Sequence, residues 1–321
     1  MRPSRSLLVP TLAALAMLVG ACGEDADTSL GSSPSAGGPS ASPSLEGASF
    51  PLELVDDDGV EVTISTEPQR IVTFAPSMTE IVFALGLGDR VVGVAGPFDD
   101  YPAEAQQIEQ VGGAGDFGVD PNIERVVALE PDLFLTISGG DAWKAELRDL
   151  GVPVVTLNAT DFADLLEDIA TVGDVTGAPD EASALVDDMA LRAEAVAAQA
   201  TERVACFFEV YFPPLTTVGP NTFVYDLLER AGCDPVTADA ATDYPEWSVE
   251  DLVADGPQVY LATPESARSP EAVAERPGFE GIAAVEQGSI VLVDGDLVTR
   301  PGPRVVDGLE QLASALHAPG S

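Results

Sequence analysis

The chain has 321 residues, 45% of them apolar and only 6% aromatic, and carries 54 acidic against 14 basic side chains for a formal charge of −40. That length exceeds the about 100 to 200 residues of one ordinary domain and predicts two lobes with a sizeable core. So large a negative excess excludes nucleic acid as a partner, and it reads as a solvated acidic surface in which Lys144 is the single lysine.

The N-terminus has the pattern of a targeting segment. Arg2 and Arg5 precede the apolar run Leu7 to Leu18, which is too short to span a bilayer, and Val19-Gly20-Ala21 leads directly into Cys22. This arrangement resembles a bacterial lipobox, with residues 1–21 as signal peptide and Cys22 as lipid anchor. Residues 22–49 are Ser, Gly, Pro, Ala and Asp with almost nothing to bury, which predicts a flexible tether of about 30 Å root-mean-square reach. Phe50 to Thr66 alternates as two strands around the turn Asp57-Asp58-Gly59. Ile71 to Phe74 predicts a buried strand, and Ser77-Met78-Thr79-Glu80 a capping box opening a helix through Leu85. Val91 to Val94 is the next strand. The loop from Gly96 to Pro121 is long enough to suggest function and carries Phe98, Tyr101 and Phe117.

NIERVVALEPDLFL, Asn122 to Leu135, recurs 126 residues later as SVEDLVADGPQVYL, Ser248 to Leu261. Each copy predicts a capped short helix with a glutamate in its first turn, a proline, then an apolar strand. Glu124 matches Glu250, so one lobe is expected to be made twice. Between the copies, a helix runs from Asp161 to Gly177 and a longer one from Pro179 to Thr201, with one apolar stripe. The predicted architecture is α/β, with two Rossmann-like lobes (residues 50–177 and 202–321), one long rigid helix (178–201) between them and a ligand cleft. In the second lobe Tyr211, Phe212, Tyr244 and Trp247 again place aromatics in loops, and the last helix, Val305 to Leu316, follows Asp296, Arg300 and Arg304.

Catalytic motifs fare poorly. Residues 113–118 satisfy the dinucleotide pattern GxGxxG, but no proper strand precedes them and no helix follows. His317 is the only histidine, so neither a histidine-dependent triad nor a histidine-rich metal centre is available. Cys206 and Cys233 fit one disulfide in an oxidising compartment or two buried thiols.

Several segments in order, among them FPLELVDDDGVEVTISTEPQRIVTFAPSMTEIVFALGLGDRVVGV, QIEQVGG, NIERVVALEPDLFL and TRPGPRVVDGLEQLASAL, resemble the substrate-binding proteins of ATP-binding-cassette importers for cobalamin and iron-siderophores. The cobalamin binder is the nearest likeness. The resemblance implies a monomeric, non-enzymatic lipoprotein held outside the cell membrane. It has no cofactor, and its small-molecule partner is a metal chelate, either a corrinoid or a ferric siderophore. The cleft would be formed by Phe98, Phe117, Tyr211, Phe212, Tyr244, Trp247, Asp296 and Arg300. Glu124 and Glu250 would dock onto arginines of the membrane permease. One departure is that Ile137 stands where that family has a cleft aromatic. A NAD-dependent oxidoreductase and a surface adhesion or signalling module on the same fold are the alternatives.

Overall fold

The computed structural model describes residues 49–113 and 120–317. The expected signal peptide, Cys22 and nearly all of the tether lie outside the described residues, as do Phe117 and most of the glycine-rich motif.

In chain order the first half contains β1 (Leu52–Val55), β2 (Glu61–Ile64), β3 (Ile71–Phe74), α1 (Pro76–Ala84), β4 (Val91–Val94), α2 (Ile123–Ala128), β5 (Leu133–Thr136), α3 (Asp141–Asp149), β6 (Val154–Thr156) and α4 (Phe162–Thr176). After α5 (Pro179–Gln199) come β7 (Val204–Tyr211), β8 (Thr216–Thr217), α6 (Phe223–Arg230), β9 (Cys233–Pro235), α7 (Val249–Asp255), β10 (Val259–Ala262), α8 (Pro270–Ala274), α9 (Ala283–Gln287), β11 (Ile290–Leu292), α10 (Gly295–Thr299) and α11 (Val305–His317). Four strands are runs buried at every position, IVTF, LFLT and VVT in the first lobe and VYLA in the second. Continuous burial is what parallel strands covered on both faces require.

The first sheet is parallel in the order β4-β3-β5-β6. The second has β9-β7-β10-β11, also parallel, with β8 added antiparallel at the far end of β7. Leu133 of β5 lies opposite Ile71 of β3, and Val259 of β10 lies opposite Cys206 of β7. The internal repeat is therefore a repeat of strand order and register. Cys206 and Cys233 form a disulfide that ties β7 to β9.

The β1–β2 hairpin is antiparallel as expected. Its acidic turn is fastened to α3 and to the end of β6. Lys144 Nζ donates to Asp58 at 2.7 Å, Arg148 to Asp56 at 3.1 Å, and the Asn158 backbone N–H to Asp57 at 2.6 Å. The lone lysine is thus completely buried and structural.

The capping-box expectation fails. Helix α1 begins at Pro76 after Ala75 with no side-chain cap, which places Thr79 and Glu80 inside it. A proline at the first helical position has no N–H to satisfy. Glu80 is consequently released for another task, and it is only 3% exposed.

Helix α5 is 21 residues long, about 32 Å at the usual rise. Ala182, Met189, Ala193 and Val196 form its buried stripe. It packs closely on α4, where a β-carbon at Gly173 would collide with Ala182. One continuous core cluster runs from Ile71 and Leu133 through Phe162, Met189 and Val196 to Phe208 and Leu309. Direct ties reinforce it: the Phe162 backbone N–H donates to Asp226 at 3.0 Å, and Arg230 lies 5.1 Å from the Phe162 ring centre. The lobes share a core as well as a connecting helix.

Candidate functional site

Parallel α/β sheets bind ligands beyond the carboxyl ends of their strands, where the chain turns into loops and helix N-termini. In the first lobe that edge carries a recess of about 260 Å³ whose lining includes Phe74, Ala95, Asp120, Ile137, Ser138 and Trp143. Its aromatic floor is a triangle. Trp143 stands 5.5 Å from Phe74 and 5.7 Å from Phe134 between ring centres. Phe98, three residues past Ala95 of that lining, is 46% exposed on a short turn. Buried Asp99 braces that turn, accepting from Thr79 Oγ1 at 2.5 Å and from the Gly96 backbone N–H at 2.9 Å. Burial pushes the Asp99 carboxyl up, against the pull of those two donors.

The second lobe presents Tyr211 at the end of β7 and Tyr244 in the loop before α7, 55% and 60% exposed. Phe212 is half-buried, edge-on to Phe279 with centres 5.7 Å apart and 4.1 Å beneath the Arg276 guanidinium. Arg276 is itself anchored to Glu209, a fully buried carboxylate that also accepts from the Tyr260 hydroxyl. Burial and the neighbouring Glu209 raise the Tyr260 hydroxyl well above its ordinary range, so it remains a donor. Trp247 is placed differently. Its indole N–H donates to Asp255 at 3.0 Å, and its ring packs on the second lobe's core.

Between the lobes lies an ion cluster that the sequence did not reveal. Arg304 makes a two-point contact with Glu80, 2.9 Å and 2.6 Å, and its guanidinium stands 4.0 Å over the Tyr101 ring. Arg300 reaches Asp100 at 3.0 Å, Asp296 at 2.6 Å and Glu80 at 3.7 Å. Glu80, Asp100 and Tyr101 belong to the first lobe, and the other three to the second. Asp296 and Arg300, expected among the ligand-binding residues, are members of this ion cluster. Burial holds Asp296 above the usual aspartate range in spite of Arg300. Residue spacing could not have signalled the contacts of Arg300 with Asp100 or of Arg304 with Glu80, whose partners are 200 and 224 residues apart, whereas Asp296 stands only four residues before Arg300.

Glu124 and Glu250 occupy the second position of α2 and α7, each behind a side-chain cap, Asn122 and Ser248. Both are exposed. Each helix starts at the carboxyl edge of its sheet: Asn122 bonds to Val111, which bonds to Val94 of β4, and Trp247 bonds to Leu215 beside β8. One turn on, Val127 and Val253 are 40% and 38% exposed at matching points. A recess of about 600 Å³ adjoins the second pair, lined by Val249, Glu250, Val253, Pro277 and Gly278. Another, about 480 Å³, lies between α5 and α11 around Gln199, Glu310 and His317.

Among the described residues, no cluster of histidine, cysteine and carboxylates could hold a metal ion, and no helix is long and apolar enough to cross a membrane. Two parallel α/β lobes of matching strand order, joined by one helix and carrying exposed aromatics in their loops, have the architecture of a binding protein. The chain belongs to the periplasmic binding protein family, whose pattern matches residues 71–297. It is 36% identical to an uncharacterised substrate-binding lipoprotein of an ABC transporter, YvrC of Bacillus subtilis, over 84% of this chain and 86% of that one. It is 32% identical to a cobalamin-binding protein of Halobacterium salinarum, over 84% of this chain and 75% of that one. Among solved structures, the ABC-type Fe³⁺-hydroxamate transport protein of Saccharomonospora viridis superposes with a TM-score of 0.69 at 28% identity, covering 84% of this chain and all of that one. These relatives are binding proteins, and the oxidoreductase alternative has no support among them.

Proposed function

We propose that this chain is the lipid-anchored, extracytoplasmic solute-binding component of an ATP-binding-cassette importer, with Cys22 as the anchor and residues 22–49 as the tether. It captures a neutral or cationic metal chelate, a corrinoid before a ferric hydroxamate, and delivers it to the permease. The observation that carries the ligand class is the commitment of Arg300 and Arg304 to Glu80, Asp100 and Asp296. An anionic catecholate or citrate complex needs several uncommitted cations, and this edge has a carboxylate excess instead. Exposed Phe98, Tyr211 and Tyr244 supply flat apolar surface suited to a broad ligand face. The relatives named for cobalamin and hydroxamate complexes support the same two classes.

Delivery would use Glu124 and Glu250. A carboxylate at a helix N-terminus already gains about 0.3 to 1 kcal/mol from the dipole, but that role does not require the same acid at both symmetry-matched points. Two equivalent permease subunits meeting two equivalent surfaces do.

Titration calorimetry with cyanocobalamin, ferrioxamine B and ferric enterobactin tests the capture reading. Heat is expected with cyanocobalamin or ferrioxamine B. Nanomolar binding of ferric enterobactin without cyanocobalamin binding would reverse the ranking, and silence with all small chelates would favour an adhesion or signalling module.

A further inference from the structure

The structure assigns Trp143 a ligand-contacting, specificity-determining role that the sequence pattern did not suggest: its indole closes the first-lobe recess and offers its N–H to a carbonyl oxygen of an amide-bearing ligand. Trp143 lies in the first turn of α3, just past the turn Gly139-Gly140. Three observations converge on it.

First, it lines the recess at the carboxyl edge of β3, β4 and β5, together with Phe74 and Ile137. Its contacts with Phe74 and Phe134 fix the plane of the ring, and a wall held by two other rings gives a binding surface little freedom to lose. Second, its Nε1 is buried yet has no hydrogen-bond partner among the described residues. Buried indole donors normally find an acceptor. The covering element is Gly140, whose missing side chain is what admits the indole, since a β-carbon there would collide with Nε1. Gly139 and Gly140 both have left-handed φ values, +89° and +76°, and both line the recess together with Trp143. Third, Ser138 shares the recess and donates its own proton to Asn158 Oδ1 at 2.8 Å, which leaves its oxygen able to accept. An N–H donor and a hydroxyl acceptor in one apolar recess match the C=O and N–H of an amide. The carboxylate of Asp120 on the rim disfavours an acidic ligand group there.

This assignment rests on the proposed capture of a corrinoid or ferric hydroxamate, both of which carry neutral carbonyl groups. Protein labelled with ¹⁵N at its two indoles is titrated with cyanocobalamin and separately with gallium-loaded ferrioxamine, a diamagnetic stand-in for the ferric form, alongside calorimetry. Trp247→Phe identifies the Trp143 signal without altering Trp143. The Trp143 N–H resonance is expected to move with whichever compound binds, and Trp143→Phe, which keeps an aromatic ring but deletes the donor, to weaken that compound about tenfold at unchanged melting temperature. Heat of binding with an unmoved Trp143 resonance, or unchanged affinity in a folded Trp143→Phe protein, overturns the assignment and leaves the capture reading intact. Absence of heat with both compounds overturns both.

Discussion

Asp168, on the buried face of α4, shows how a single carboxyl couples two segments. Burial is the main cause that raises it to about 7, reinforced by Asp57 of the hairpin turn and by Asp164 and Glu167, against a backbone hydrogen bond from Ala159. Its ordinary value in an unfolded chain is 3.8, so the folded protein holds this proton more tightly. The resulting stabilisation is complete below about pH 4 and is lost as pH rises through 7. Asp168→Asn should therefore flatten the fall in melting temperature between pH 5 and 8 and raise it most at pH 8. Scanning calorimetry across that range checks the expectation, and an unchanged slope would contradict it. The residue was invisible in the sequence because its burial and the approach of Asp57 bring together segments 111 residues apart. Arg300 is the converse case. Its type was legible, as was Asp296 four residues before it, but its contacts with Glu80 and Asp100 were not, since those two depend on how the lobes meet.

At the scale of elements, α2 and α7 behave as one device made twice. Caps Asn122 and Ser248 accept from the third helical residue in each, Arg125 and Asp251, and each leaves a glutamate and then a valine exposed on one face, three residues apart. Glu124→Ala and Glu250→Ala should leave chelate affinity nearly unchanged and lower uptake in proteoliposomes, the double variant more than either single one. Salt should weaken wild-type association with the permease, as for other charge-assisted contacts. Normal uptake by the double variant would return both acids to the service of their helices. The repeat was readable because capping, helical spacing and a closing proline are local signals. Helix α1 was misread for the same reason. The local pattern of a capping box was present, but Pro76 moved the helix start by one residue or more and Glu80 turned to Arg304.

For the whole molecule, the shared core limits how far the lobes can move. A hinge of two or three extended strands separates two cores, whereas here a continuous cluster passes through α4, α5 and α6, and the Arg304–Glu80 and Arg300–Asp100 contacts also bridge the lobes. Small-angle scattering with and without a bound chelate should show the radius of gyration almost unchanged. A large contraction would contradict it. Arg304→Ala would leave Glu80 buried without its strongest partner and is expected to destabilise the fold by about 3 kcal/mol, read by urea denaturation at pH 7.

The sequence by itself determined the strands, most helix limits, the duplicated unit and the family, because apolar runs, caps, glycine stops and proline starts act within a few residues. It also pointed to aromatics in loops, where scarcity made them conspicuous. Tertiary structure alone decided the pairing of Cys206 with Cys233, the burial of Lys144, the use of Trp247 in packing on the second lobe's core, and the presence of Trp143 in the recess. It also decided that Arg300 and Arg304 spend their charge between the lobes. Each of these depends on the direction in which a side chain meets a segment remote in the chain, and neither spacing nor composition carries that direction.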